Sequence, residues 1–233
     1  MLTERIKQMN DTIFSLAKIG KIIPEELVEY KPDPNMSHML RQAYAVRTMF
    51  MNVSINRLPD EKIAGNNTSK YSPRPDHLIE EELEQIKNYP DSVPEEILVA
   101  MEERIFYLWS FVQGHIVPNK ELVLTNGMSY IIQKIEDRLL DQRLSSDQKD
   151  FLNAALIECK GLIDYAERHR SYYEELAAKT SIPEEKIEFL EIARICGKVP
   201  AEPADTFREA LQSIWFVQIG TQFDDCANHS LGR

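Results

Sequence analysis

Glycine is scarce in this sequence, eight in 233 residues. A chain with so few glycines cannot supply the tight turns of a many-stranded β fold, and its abundant Glu, Leu, Ile and Ala favour helix. Cysteine is nearly absent too. Cys159, Cys196 and Cys226 are odd in number and widely spaced, and no CxxC or Cys/His pattern exists. That excludes a disulfide framework and a zinc site, and makes a reducing cytoplasm the expected compartment. No apolar run is long enough to span a bilayer, and the N-terminus lacks the apolar core of a signal peptide. The net charge of −11 leaves no basic excess for nucleic acid or a polybasic membrane contact, so neither is an expected partner. The generic catalytic signatures are also missing: no Gly-rich phosphate loop, no GxSxG elbow and no HExxH.

What is present is helical periodicity. Apolar residues recur at helical spacing in 2–19, 36–52, 95–112, 121–140, 147–180 and from 183 to about 196, and 78–87 reads as an acidic, solvated helix. In 36–52 the inward set is Met39, Leu40, Ala43, Val46 and Phe50, with Arg41 and Arg47 pointing away. In 147–180 it is Phe151, Leu152, Ala155, Leu156, Cys159, Leu162, Ile163 and Ala166. The charged tail 167–179 reads as solvent-facing, and His169 with it as a surface residue. Pro183 near a helix start does no harm, because its missing N–H would have no partner there. Leu58 to Thr68 reads as a buried loop or short strand whose Gly-Asn-Asn exit tolerates positive φ. No repeat, low-complexity tract or boundary divides residues 1–233, so a single domain is expected.

The C-terminal stretch is the most informative. Thr206 and Glu209 have the spacing of a capping box, in which each side chain satisfies a backbone N–H at a helix start. Phe207, Ala210, Leu211, Ile214 and Trp215 then build an apolar face. After Gly220, the residues Asp224, Asp225, Cys226, Asn228, His229 and Ser230 crowd together. Two readings stand: a core helix with a solvated turn, or a scaffold presenting a polar site. His115 follows Gly114 at a helix stop before Pro118. It is either a packing histidine or a proton carrier working near its unperturbed pKa of about 6.5.

Three segments, taken together and in order, resemble the N-terminal region of the glycyl radical enzymes, the pyruvate formate-lyase-like group with its lyase and dehydratase branch. They are Leu58 to Thr68; Gly114-His115-Ile116-Val117-Pro118 with Val123-Leu124-Thr125-Asn126-Gly127; and Cys196 through Val199-Pro200, Thr206-Phe207-Arg208-Glu209-Ala210-Leu211-Gln212 and Trp215-Phe216 to Ser230-Leu231-Gly232-Arg233. The resemblance implies a mainly α chain: the N-terminal helical portion of a ten-stranded α/β barrel, with the barrel itself largely absent. It implies a lyase or dehydratase of anaerobic metabolism that acts on a small polar metabolite by radical hydrogen abstraction. In that family a radical-SAM activase installs a glycyl radical near the C-terminus, which makes a thiyl radical on a mid-chain cysteine. Neither loop is found here, so no directly bound cofactor and no activity of this chain alone are expected.

By the same resemblance, His115 takes the place of a family histidine suited to general acid/base work, and Asp225, Asn228, His229 and Ser230 are candidates to contact substrate. The family's "G-H-S-x-S-x-G-R" is altered here. Aligned on Ser230-x-Gly-Arg, its His and Ser positions fall on Ala227 and Asn228, and a shift of one or two residues would bring in His229 and Ser230 instead. The expected partners are the remainder of the enzyme or a partner subunit, the activase and a small-molecule substrate, with a homodimer also possible. The competing expectation is a non-catalytic helical interaction module derived from the family.

Overall fold

The computed structural model describes residues 3, 4, 6–8, 10, 11, 28–57, 60–65, 78–87, 94–102 and 118–224. Among them there is no strand. Besides helical residues near the N-terminus (4, 6–8, 10 and 11), eight helices follow in order: α1 (His38–Asn52), α2 (Glu80–Lys87), α3 (Glu95–Glu102), α4 (Lys120–Asn126), α5 (Met128–Leu139), α6 (Ser146–Lys179), α7 (Pro183–Lys198) and α8 (Phe207–Phe223). The mainly helical fold expected from the glycine-poor composition is what the chain adopts.

The organising element is α6, whose 34 residues correspond to about 50 Å at the usual helical rise. A full capping box starts it: Ser145 accepts from the Gln148 N–H, and Gln148 accepts from the Ser145 N–H. Helices α1, α5 and α7 pack along it, and α8 also touches it. Pro183 occupies the first turn of α7, and Thr206 and Glu209 form the expected capping box at the head of α8.

Aromatic side chains from three helices close the centre. Phe50, Tyr165 and Phe223 lie with ring centroids 5.5–5.9 Å apart. Phe216 meets Tyr165 edge-on at 6.0 Å, a favoured geometry for ring quadrupoles. Arg168 on α6 donates to the carbonyls of Phe50 (2.5 Å) and Val53 (2.7 Å). It thereby satisfies acceptors that the C-terminal end of α1 would otherwise leave orphaned.

Several expectations need correction. Arg41 does not point away from the core of α1. It is buried, and its guanidinium donates to the Met36 carbonyl (2.6 Å) and to Glu82 of α2 (2.5 Å). Phe151, expected inward, is exposed. The tail of α6 is not wholly a solvated face: His169, Tyr173 and Ala177 form a buried stripe, while Glu167, Glu174, Glu175 and Lys179 are exposed. The helix expected over 121–140 is two helices broken at Gly127. There φ is +77°, and a side chain would collide with the 201–202 backbone. The break lets the Met128 and Ser129 N–H groups donate to the carbonyls of Pro200 (2.7 Å) and Ala201 (3.0 Å).

Candidate functional site

Helix α8 carries a different buried face from the one its apolar pattern suggests. Phe207, Leu211 and Trp215 are 79%, 41% and 37% exposed. The buried face is Glu209, Gln212, Ser213, Phe216, Val217, Ile219 and Phe223. Two of its polar members, Glu209 and Gln212, are buried together with their hydrogen-bond partners. Glu209 accepts from Arg194 (2.9 Å), Lys198 (2.8 Å) and the Asp205 N–H (2.8 Å). Burial alone would raise its pKa. The bonds from Lys198, Asp205 and Arg194 outweigh burial and hold it at about 2.

Gln212 is the second buried polar group on that face. Its Oε1 accepts from the Ala64 N–H (2.7 Å) and its Nε2 donates to the Ala64 carbonyl (2.8 Å). A side-chain amide thus pairs with one residue of backbone as a neighbouring strand would. Arg208 donates to the Lys62 carbonyl (2.9 Å), and the Trp215 indole N–H donates to the Gly65 carbonyl. Positions 208, 212 and 215 share one side of α8, so residues 62–65 are strapped along it. Gly65 lies at φ +99°, and a side chain there would strike Ile219 2.8 Å away. The buried loop expected over Leu58 to Thr68 is only partly found: among the described residues Ala64 and Gly65 are buried and Lys62 is exposed, while Gly65 takes the positive φ expected of the exit.

The second segment meets the same helix. Asn119 accepts from the Leu122 N–H and caps α4. That helix packs on α8, and the Leu124 carbonyl accepts from the Ala204 N–H (3.0 Å). The described parts of the first two segments, 60–65 and 118–127, therefore both meet the third at α8 and the loop before it, about 80 to 150 residues away in the chain. At its far end, Gln42 of α1 donates to Asp224 (2.6 Å), fixing the point from which the chain enters 225–233. His38 (3.6 Å from Glu82), Arg41 and Glu82 belong to the same corner of α1 and α2. Sequence reading missed Gln42 and Arg41, because neither lies in a chemical motif. Their role appears only once α1 is seen against α2 and α8.

His115, Asp225, Asn228, His229 and Ser230 lie outside the described residues. The structure neither brings them together nor separates them. Of the cysteines, Cys196 is fully buried and burial pushes its thiol pKa far up; burial, with the nearby Glu158 carboxylate, pushes Cys159 up to about 11. Neither is poised as a thiolate. Among the described residues no group of three or more His, Cys, Asp or Glu could hold a metal ion, and no helix is long and apolar enough to cross a membrane. A groove of about 490 Å³ between α6 and α7 is lined by Arg170, Arg194 and Lys198. These cations are paired with Glu167 and Glu174, Glu191 and Glu209, and Asp205 and Glu209. Its charge is internal bookkeeping and makes no anion site.

Residues 41–233 match the family model described as pyruvate formate lyase-like. The chain belongs to the pyruvate formate lyase-like family. Isethionate sulfite-lyase of Nitratidesulfovibrio vulgaris is 36% identical over 113 residues, which are 46% of this chain and 14% of that enzyme. The structure of hydroxyproline dehydratase from Clostridioides difficile, with trans-4-hydroxy-L-proline bound, superposes with a TM-score of 0.76 at 19% identity. It covers 100% of this chain and 36% of its own. A glycyl radical enzyme from Archaeoglobus fulgidus gives a TM-score of 0.59 at 24% identity, over 82% of this chain and 30% of that one. This family member therefore spans only a minor part of the length of the relatives it matches.

Proposed function

We propose that this chain is the helical N-terminal portion of a glycyl radical lyase or dehydratase that cleaves a C–C, C–O or C–N bond in a small polar metabolite. It supplies scaffold and part of the substrate pocket, while the radical glycine and the thiyl cysteine belong to the rest of the enzyme. The observation that carries this reading is the family match over 41–233, coupled to the meeting of the described parts of its three segments at α8 and the loop before it. The buried, high-pKa thiols of Cys159 and Cys196 agree with it, since neither is placed to react.

In this reading the remainder supplies the radical chemistry, after activation by a radical-SAM enzyme. His115 holds or releases a proton at the substrate, and Asp225, Asn228, His229 and Ser230 bind its polar groups. The Gln42–Asp224 bond supports this reading by holding the end of α8 from which the chain enters 225–233.

The test is reconstitution under anaerobic conditions with the remaining polypeptide and an activase. A glycyl-type doublet in the EPR spectrum and turnover of a diol, hydroxyproline or sulfonate substrate are expected. His115→Ala should cut turnover without changing the doublet. No doublet in the reconstituted wild type would refute the reading, and unchanged turnover in the variant would remove His115 from the chemistry.

A further inference from the structure

Asn126-Gly127 is the only Asn-Gly pair in the sequence, and the dipeptide carries covalent chemistry of its own. The Asn126 side-chain carbonyl carbon and the Gly127 backbone nitrogen can close a cyclic imide, because glycine has no side chain to obstruct the approach. In the folded chain both reacting groups are restrained. Asn126 is the last residue of α4, and its Nδ2 donates back to the Leu122 carbonyl at 3.1 Å. That draws the side chain toward the preceding turn and away from Gly127. Gly127 is buried, and its N–H donates to the Val123 carbonyl at 2.8 Å. The proton that must leave before the nitrogen can attack is therefore engaged.

The clamp on this corner comes from far along the chain. The Met128 and Ser129 N–H groups donate to the carbonyls of Pro200 (2.7 Å) and Ala201 (3.0 Å), and the Ala204 N–H donates to the Leu124 carbonyl (3.0 Å). Residues 200–204 thus hold the chain on both sides of the dipeptide. The fit is close: a carbon added at Gly127 would lie 2.3 Å from the Ala201 carbonyl oxygen and 2.8 Å from the Glu202 backbone.

We propose that Asn126-Gly127 is a covalent modification site gated by the docking of residues 200–204. When that loop lifts, the Gly127 nitrogen gives its proton to water or hydroxide and bonds to the Asn126 side-chain carbonyl carbon. The bond from that carbon to Nδ2 breaks, the amide nitrogen takes up a proton and leaves as ammonia, and a succinimide remains. Water then opens the ring at either carbonyl. One product is an ordinary aspartate at position 126. The other is a β-linked isoaspartate, which adds a methylene to the backbone. Water is the only co-reactant. The aspartate cannot donate to the Leu122 carbonyl and puts a carboxylate at the negative end of α4. The isoaspartate lengthens the backbone where packing leaves no space for a single carbon, so Met128 and Ser129 cannot regain their partners. An opening of the loop is in this way recorded as a permanent change in the chain.

The experiment incubates the chain at one pH and temperature, folded in buffer and unfolded in urea. Mass spectrometry follows ammonia loss and the amide-to-acid gain in the peptide that contains 126–127, with isoaspartate told from aspartate by electron-transfer fragmentation. The folded chain should be modified about tenfold more slowly, or slower still, because the reaction proceeds only from the locally opened fraction. In Asn126→Gln, whose longer side chain closes an imide far less readily, the gain should vanish from this peptide in both samples. In the aged folded sample, the isoaspartyl fraction should lack hydrogen-exchange protection at Met128 and Ser129, which the unmodified fraction keeps. Equal rates in folded and unfolded chains would overturn the gate. No gain at this peptide in urea would overturn the site. Equal protection in the two fractions would overturn the permanence of the change.

Discussion

The buried His169 makes a sharp prediction about acid stability. It is 1% exposed, on α6, with its ring 4.5 Å from Tyr165 and 5.5 Å from Phe216. Its Nδ1 donates to the Tyr165 carbonyl at 3.0 Å, and its Nε2 has no partner. Burial, opposed by the Tyr165 bond and assisted by Arg168, lowers its pKa to about 4. The neutral imidazole therefore suits the folded state, while the unfolded chain gains a proton near pH 6.5. Stability is complete above about 6.5 and is lost as pH falls toward 4. The full difference corresponds to about 3 kcal/mol, of which about 2 kcal/mol is gone by pH 5. For a chain of this size that is a fall in Tm of about 4–8 °C. The carboxylates Glu82, Glu188, Glu191 and Glu209 all have lowered values. Their contributions disappear only below about pH 4.5, so the interval from 6.5 to 5 isolates histidine. The assay is thermal unfolding by circular dichroism between pH 7.5 and 5, on the wild type and on His169→Phe, which keeps a ring in the aromatic cluster but cannot titrate. The comparison cancels the other histidines. The wild type should lose at least 4 °C more than the variant over that interval. Parallel profiles would refute the reasoning, whatever the variant's stability at neutral pH.

Two further predictions concern α8. Gln212→Leu strips both partners from the buried Ala64 backbone and should cost about 3 kcal/mol in urea unfolding; a loss below about 1 kcal/mol would mean that the strap is held by other bonds. Glu209→Gln keeps the shape but removes the charge shared by Lys198 and Arg194, and should cost about 2 kcal/mol at neutral pH. Because the folded carboxyl lies near 2, below the usual 4.5, the difference between wild type and variant should shrink as pH falls from 4.5 toward 2; a constant difference would refute the assignment.

Local signals in the sequence were read correctly where a single helix end decides the outcome. The Thr206–Glu209 box, the proline at the head of α7 and the positive φ of Gly65 all involve neighbours a few residues apart. Faces were misread where the deciding partner is remote. Gln212 and Glu209 look like surface residues until Ala64, Arg194 and Lys198 are beside them, so the apolar pattern assigned the buried face to Phe207, Leu211 and Trp215. His169 fails for the same reason: a charged neighbourhood in sequence conceals a stripe that Phe216 covers from another helix. Gly127 was legible as a motif, and the break it makes depends on a backbone docking partner more than seventy residues downstream. The helical fold and family were legible from spacing and the three segments. The candidates His115, Asp225, Asn228, His229 and Ser230 rest on family resemblance alone and lie outside the described residues.

The clasp between Ala64 and Gln212 joins positions 148 residues apart. During synthesis, residues 62–65 leave the ribosome long before the helix that grips them exists. Contacts of such separation form late, after their loop-closure entropy has been met by packing elsewhere. The long helix α6 and its neighbours can assemble first, while the strap and the Gly65 turn wait for α8 to emerge. The strap is thus set among the last acts of folding, and a nascent chain halted before residue 212 leaves the Ala64 N–H and carbonyl without the amide that pairs with them.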